Sequence, residues 1–180
     1  MTEATKRADD PIARFAELFT AAARTEPFDA TRAALATATR DGRPSVRFVL
    51  VKIADARGFA FFTNYESRKG RELDDNPWAA LAWHWSSTGV QVRAEGPVHR
   101  LAPEESDAYF RTRPLPSRIG AWASPQSRPI AGDWELLARV ARATLRHGVD
   151  PPRPPFWGGY RLVPERIELW FEGQARLHRR

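Results

Sequence analysis

Two cations follow a serine at a place where helices ordinarily carry acids. In Thr63-Asn64-Tyr65-Glu66-Ser67-Arg68-Lys69-Gly70-Arg71-Glu72-Leu73 an apolar run from Phe59 to Thr63 gives way to a tight turn and then to a helix starting at Ser67. A serine suits that position, because its hydroxyl accepts from the free N–H groups of the first turn. Arg68 and Lys69 do not suit it, since the helix N-terminus already carries partial positive charge. Three sources of positive potential converging on one point describe an anion site, and a phosphate in particular. The plainer alternative is a solvated basic turn.

Arg47 and Lys52 bracket the apolar segment Phe48-Val49-Leu50-Val51. Charge inside such a strand is costly unless it is paired or serves a ligand; otherwise the segment is an edge strand with snorkelling ends. Five residues apart, the two side chains point to opposite faces of a regular strand. They serve one ligand only if it straddles the strand end or a bulge intervenes. Tyr109 and Arg113, four apart, share a helix face. With Ser117 they offer a phenol, a guanidinium and a hydroxyl to a second phosphate, unless they are simply a solvated helix end. Gln91 faces away from Val90 and Val92, toward either a heteroaromatic ring edge or solvent. Gln126-Ser127 lies in an irregular stretch too long for an idle connector. Arg176 and His178, just beyond a strand containing Trp170, have the chemistry to clamp a planar substrate.

Other chemistries are disfavoured. The four histidines lack metal-ligand spacing, and the absence of cysteine excludes thiolate metal sites, disulfides and a thiol nucleophile. No glycine-rich phosphate loop of the common nucleotide folds is present.

The elements that must position these groups follow from periodicity and punctuation. Asp10-Pro11 opens a helix, with Ile12, Phe15, Leu18, Phe19 and Ala22 at helical spacing through about Arg24. Strands are expected over 33–39 and 45–53, joined by a turn around Asp41-Gly42, then over 59–63. The helix from Ser67 ends near Asp75-Asn76-Pro77. A second hairpin joins 79–85 to 90–101, and Pro103-Glu104-Glu105 opens a helix to about Thr112. Residues 114–129 read as irregular. Trp134, Leu137, Ala138, Ala141 and Leu145 mark one face of a long amphipathic helix stopped by Gly148. A proline-rich connector, 151–155, leads to strands over 159–163 and 166–171. Hairpins with late helices predict a mainly β (α+β) fold: an antiparallel barrel of six or so strands with peripheral helices.

At 180 residues, 42% hydrophobic with seven Trp, the chain reads as a single globular domain, 1–180, with residues 1–9 expected to be disordered. No apolar run is long enough to span a membrane, and residues 1–9 lack a signal-peptide core, so a cytoplasmic location is expected. The net charge of +6 permits nucleic-acid binding, but the arginines are scattered and no basic run interleaved with aromatics exists. Neither nucleic acid nor membrane is an expected partner.

Taken together, several motifs resemble the pyridoxamine 5'-phosphate oxidase family, flavin-dependent split-barrel enzymes. They are Arg47-Phe48-Val49-Leu50-Val51-Lys52, Phe62-Thr63-Asn64, Ser67 to Leu73, Glu105-Ser106-Asp107-Ala108-Tyr109-Phe110, Gly120 to Ser127, Pro155 to Arg161 and Arg176-Leu177-His178, in order from about Asp10 to the last residue. The resemblance implies that flavin mononucleotide (FMN) contacts Arg47, Phe48, Val49, Leu50, Val51, Lys52, Phe62 and Thr63. It also implies FMN contacts at Arg68, Lys69, Gln91, Gln126, Ser127, Trp170 and Arg180. Lys52, Tyr109, Arg113 and Ser117 would hold the substrate phosphate, and Arg176 and His178, the catalytic pair, would flank the substrate ring. The implied reaction oxidises pyridoxamine or pyridoxine 5'-phosphate with O2 and releases H2O2, in a site shared by two subunits of a homodimer. A paralogue acting on another planar, dihydro-aromatic metabolite is the alternative enzyme, and a flavin- or pyridoxal-phosphate-binding carrier the alternative outside catalysis. Leu169, Phe171 and Arg179 depart from the usual pattern of an aromatic, a polar or small residue and an acid or amide. Family members usually continue past the position of Arg180 through a final strand that helps dimerise.

Overall fold

In the computed structural model, residues 10–180 are described; the expectation for residues 1–9 lies outside them. The elements in chain order are α1 (Pro11–Thr25), β1 (Arg32–Ala38), β2 (Pro44–Asp55), β3 (Gly58–Asn64), α2 (Arg68–Asp75), β4 (Trp78–Trp85), β5 (Val90–Arg100), α3 (Pro103–Thr112), α4 (Leu115–Ala123), α5 (Asp133–His147), β6 (Trp157–Leu162) and β7 (Arg166–Phe171), followed by a 3-10 turn over Gln174–Arg176.

Six antiparallel strands close a barrel in the order β4-β1-β2-β3-β6-β5, with β5 returning to β4. The split lies in β5. Its first half pairs with β4 on one side and β7 on the other, and its last residues, Val98 to Arg100, turn to β6. Alternation along β1 and β5 sends Ala33, Leu35, Val92 and Ala94 inward. The barrel end is stoppered by Phe15 of α1, whose ring meets Phe59 at 4.8 Å and Trp83 at 4.9 Å, both edge-on. Asp10 caps that helix by accepting from the Ile12 N–H at 2.9 Å.

The structure corrects two expectations and removes one alternative. Residues 115–123 form α4, where an irregular stretch was expected. Arg113 precedes Pro114 and is extended, which ends α3; Pro116 then falls in the first turn of α4, where no N–H is needed. In α5, Trp134, Leu137 and Leu145 are exposed by 67%, 69% and 88%, so the apolar stripe does not face this chain's core. The packed face is instead Val140 and Ala143 against Ile119 and Ala123 of α4. Finally, β2 lies between β1 and β3 and is not an edge strand. Its pairing with β3 shifts register between Val51 and Ile53, a bulge at Lys52, yet Arg47 and Lys52 stay apart: Arg47 turns to Glu72, and Lys52 to Asp29 and Thr31.

Candidate active site

The helix start foreseen at Ser67 is formed, and its side chain is fully buried. The Ser67 hydroxyl accepts from the Gly70 N–H at 3.3 Å. Gly70 is required by close approach: a Cβ there would lie 2.0 Å from the Tyr65 carbonyl oxygen. Lys69, only 8% exposed, turns its ammonium inward to neutral acceptors, Thr63 Oγ1 at 3.1 Å, Gln126 Oε1 at 3.1 Å and Ser67 Oγ at 3.4 Å. Burial, then the charge of Arg47, pulls its pKa down to about 8, with Glu72 opposing.

Arg47 and Arg68 stand beside this lysine and converge on one carboxylate. Glu72, 4% exposed, accepts from Arg68 Nε at 2.8 Å on Oε1. Its Oε2 accepts from Thr37 Oγ1 at 2.5 Å, Ser45 Oγ at 2.6 Å and Arg47 Nη2 at 3.2 Å. Arg47 also donates to the Leu35 carbonyl at 3.2 Å, to Thr37 Oγ1 at 2.5 Å and to the Ser45 hydroxyl.

Lys69, Thr63 and Gln126 open onto a cavity of about 550 Å³, a size common for small-molecule sites. Phe48, Val49, Leu50 and Lys52 of β2 line it, with Phe62, Tyr109, Arg113, Ser117 and Trp157. Three rings form a wall: Phe62 stacks on Tyr109 at 3.8 Å and on Trp157 at 5.7 Å, with Tyr109 and Trp157 only 6° from parallel. The Arg113 guanidinium lies 4.6 Å from the Trp157 ring centre, and its Nη1 is buried with no hydrogen-bond partner. Burial lowers the pKa of Arg113 and raises that of Tyr109, which therefore keeps its proton as a donor. Lys52 is tied to Asp29 Oδ2 at 3.3 Å and Thr31 Oγ1 at 3.1 Å.

The structure brings together most of the residues singled out in the sequence, but not all. Val51 is in the barrel core, and Ser127, next to Gln126, has a left-handed backbone (φ 64°). Arg47 and Arg68, turned to Glu72, and Gln91, Trp170, Arg176, His178 and Arg180 do not line this cavity. Gln91 and Trp170 are paired across β5 and β7, and the His178 ring packs on Trp170 at 4.5 Å. Arg176 also has left-handed backbone, with φ 64°. Glu72 and Trp157 carried no assigned role in the sequence. The signal for Glu72 was its place one helical turn after Arg68; for Trp157 none was available, because its neighbour Arg113 comes from another element.

A guanidinium with a buried, unpartnered nitrogen, a buried ammonium with only neutral acceptors and a flat aromatic wall fit a phosphorylated, planar group such as FMN. A six-stranded barrel split at one strand, with a phosphate site at a helix start beside it, defines the class of FMN-binding split barrels. Family comparison gives the particular group. Residues 19–147 match the model described as pyridoxamine 5'-phosphate oxidase, and residues 157–180 match the pyridoxine 5'-phosphate oxidase C-terminal dimerisation region. The chain is 59% identical over 174 residues to a pyridoxine/pyridoxamine 5'-phosphate oxidase of Anaeromyxobacter dehalogenans, covering 96% of this chain and 88% of the relative. A Myxococcus xanthus protein of the same description is 52% identical, with 95% and 84% covered. Among solved structures, PhzG from Burkholderia lata, in complex with tetrahydrophenazine-1-carboxylic acid, superposes with a TM-score of 0.88 at 37% identity, covering 97% of this chain and 87% of that one. This chain belongs to the pyridoxamine 5'-phosphate oxidase family.

Proposed function

We propose that the chain is an FMN-dependent oxidase that converts pyridoxamine or pyridoxine 5'-phosphate to pyridoxal 5'-phosphate, with O2 as acceptor and H2O2 as product. The observation that carries this reading is that two cations, the buried Lys69 and the half-buried Arg113, face one cavity with neutral acceptors or an unpartnered nitrogen in place of a carboxylate. Two such cations fit two phosphates, one on the cofactor and one on the substrate. Bound FMN supplies the redox chemistry, taking two electrons from the substrate and passing them to O2.

This chain's residues bind and orient. Lys69, with the Ser67 helix start and Arg68, holds the cofactor phosphate. Arg113, Tyr109, Ser117 and Lys52 hold the substrate phosphate, and the aromatic wall keeps out water and flattens the ring stack. Arg176 and His178 position the substrate ring, and they reach it from the second subunit of a homodimer. That reading is supported by their absence from this chain's own cavity and by the match of residues 157–180 to a dimerisation region. Lack of cysteine suits the reducing cytoplasm, and among the described residues no helix is long and apolar enough to cross a membrane.

Aerobic turnover of pyridoxamine 5'-phosphate by the FMN-loaded protein, with peroxide and aldehyde scored together, tests the proposal. Equal yields of both are expected. The likeness to PhzG supports one rival, a paralogue that oxidises a dihydro-aromatic acid. Turnover of such an acid without turnover of pyridoxamine phosphate would select it.

A further inference from the structure

We infer that Glu72 is the positioning residue of the cofactor-phosphate site, a buried carboxylate that aims Arg47 and Arg68 at the phosphate and is itself never a ligand. The inference rests on the reading of the Ser67 helix start as the FMN phosphate site. Its basis is the way the hydrogen bonds saturate. A carboxylate offers about four acceptor positions, and Glu72 receives four donors: Arg68 on Oε1, and Thr37, Ser45 and Arg47 on Oε2. Oε2 is fully taken and Oε1 keeps one acceptor position, which a phosphate, itself an acceptor, cannot use. The arginines, in contrast, are only partly satisfied. Arg68 is held by Nε, which leaves both terminal nitrogens of its fork free, and its side chain is 59% exposed. Arg47 spends its terminal nitrogens on Leu35, Thr37, Ser45 and Glu72 and keeps Nε.

Two neighbouring guanidiniums and a buried ammonium repel one another, and no phosphate is there to relieve them before the cofactor arrives. The resident carboxylate offsets that repulsion and fixes both arginine rotamers in advance. Burial resists the charge on Glu72, but the hydroxyls of Ser45 and Thr37, then Arg68 and Arg47, hold its pKa down to about 2. It is thus an anion wherever the cofactor binds. A glutamine cannot substitute: it is uncharged with one acceptor oxygen, so turning its NH2 toward Arg68 loses that contact, and turning it toward Oε2's place loses Arg47 even if the Thr37 and Ser45 hydroxyls accept. One arginine is then released.

The test is titration of FMN and of riboflavin, separately, into apoprotein, for the wild type, Glu72→Gln and Glu72→Asp. The wild type should prefer FMN strongly. Glu72→Gln should reduce that preference tenfold or more through FMN alone, riboflavin affinity staying within about threefold, and Glu72→Asp should recover part of the preference. A wild type without preference for FMN would overturn the phosphate-site reading itself. A wild type that prefers FMN beside a Glu72→Gln variant with the same preference would overturn only the inference. Parallel losses for both flavins, marking a general packing role, would overturn it too. So would tighter FMN binding by Glu72→Gln, marking Glu72 as a competing anion. Should Glu72→Gln not fold, Ser45→Ala removes one hydroxyl bridging Arg47 and Glu72 and keeps every charge; it should lower the FMN preference two- to fivefold, and an unchanged preference would refute the inference.

Discussion

At the scale of single residues, the site works by withholding partners. Lys69 is buried among neutral oxygens and held at a pKa of about 8, below its ordinary 10.5. Because its charged form is the one the fold disfavours, Lys69 costs stability in full below pH 8, and that cost fades as pH rises toward 10.5. A phosphate reverses the preference by stabilising the ammonium, so cofactor binding takes up a proton above pH 8. FMN affinity should therefore fall about tenfold between pH 7 and pH 9, while riboflavin affinity stays flat; isothermal titration across that range checks both, and a flat FMN profile contradicts the argument. Lys69→Ala should weaken FMN by roughly ten- to a hundredfold, the worth of one charge-assisted contact at about 1.5–3 kcal/mol, and should remove the pH dependence. Arg113 has a buried Nη1 with no partner. Arg113→Ala should raise KM for pyridoxamine 5'-phosphate at unchanged flavin content and narrow the gap to unphosphorylated pyridoxamine.

Elements decide where those residues sit. The bulge at Lys52 and the tight start of α2 are backbone features, and α2 is the one that admits a direct test. Glycine to alanine inside a helix usually stabilises by about 0.5–1 kcal/mol. At Gly70 the sign should reverse, since the new Cβ would sit 2.0 Å from the Tyr65 carbonyl oxygen and push the helix start away from β3. A lowered Tm together with weakened FMN binding is the expected outcome for Gly70→Ala, and a higher Tm would mean the turn can yield.

For the whole molecule the proposal requires Arg176 and His178 to act at a cavity that their own chain does not offer them. The proposed two-fold dimer would meet that requirement, and Val46 and Phe48 of β2, exposed by 70% and 73%, are apolar surface of the kind such a dimer would cover. Val46→Asp should yield monomers in sedimentation velocity and lose flavin. Subunit mixing gives a sharper test. Assayed with substrate well below the raised KM, Arg113→Ala and His178→Ala homodimers should each be nearly inactive. After exchange at equal amounts, half the dimers are mixed and each holds one intact site, so about a quarter of wild-type activity should return if sites are shared. No recovery would place both residues in one chain's site.

How much of this was legible beforehand follows from what each signal depends on. Local signals held: the Ser67 cap, the Asp41-Gly42 hairpin and the alternating strands depend on neighbours in sequence, so the barrel and the helix start at Ser67 could be read directly. The parity objection to Arg47 and Lys52 held despite the register shift against β3: Arg47 turns to Glu72, while Lys52 lines the cavity. Periodicity alone could not say which face of α5 packs, because Trp134 and Leu137 make as good a stripe as Val140 and Ala143 until α4 is in place. Glu72 shows the limit most clearly. Its acidity and its spacing from Arg68 were visible, but Thr37 and Ser45 reach it from β1 and β2, 35 and 27 residues away. The sequence by itself determined which local structures form and which charges lie near a helix start; the tertiary structure alone decided which of those charges are neutralised, because burial and pairing are set by residues that only folding brings together.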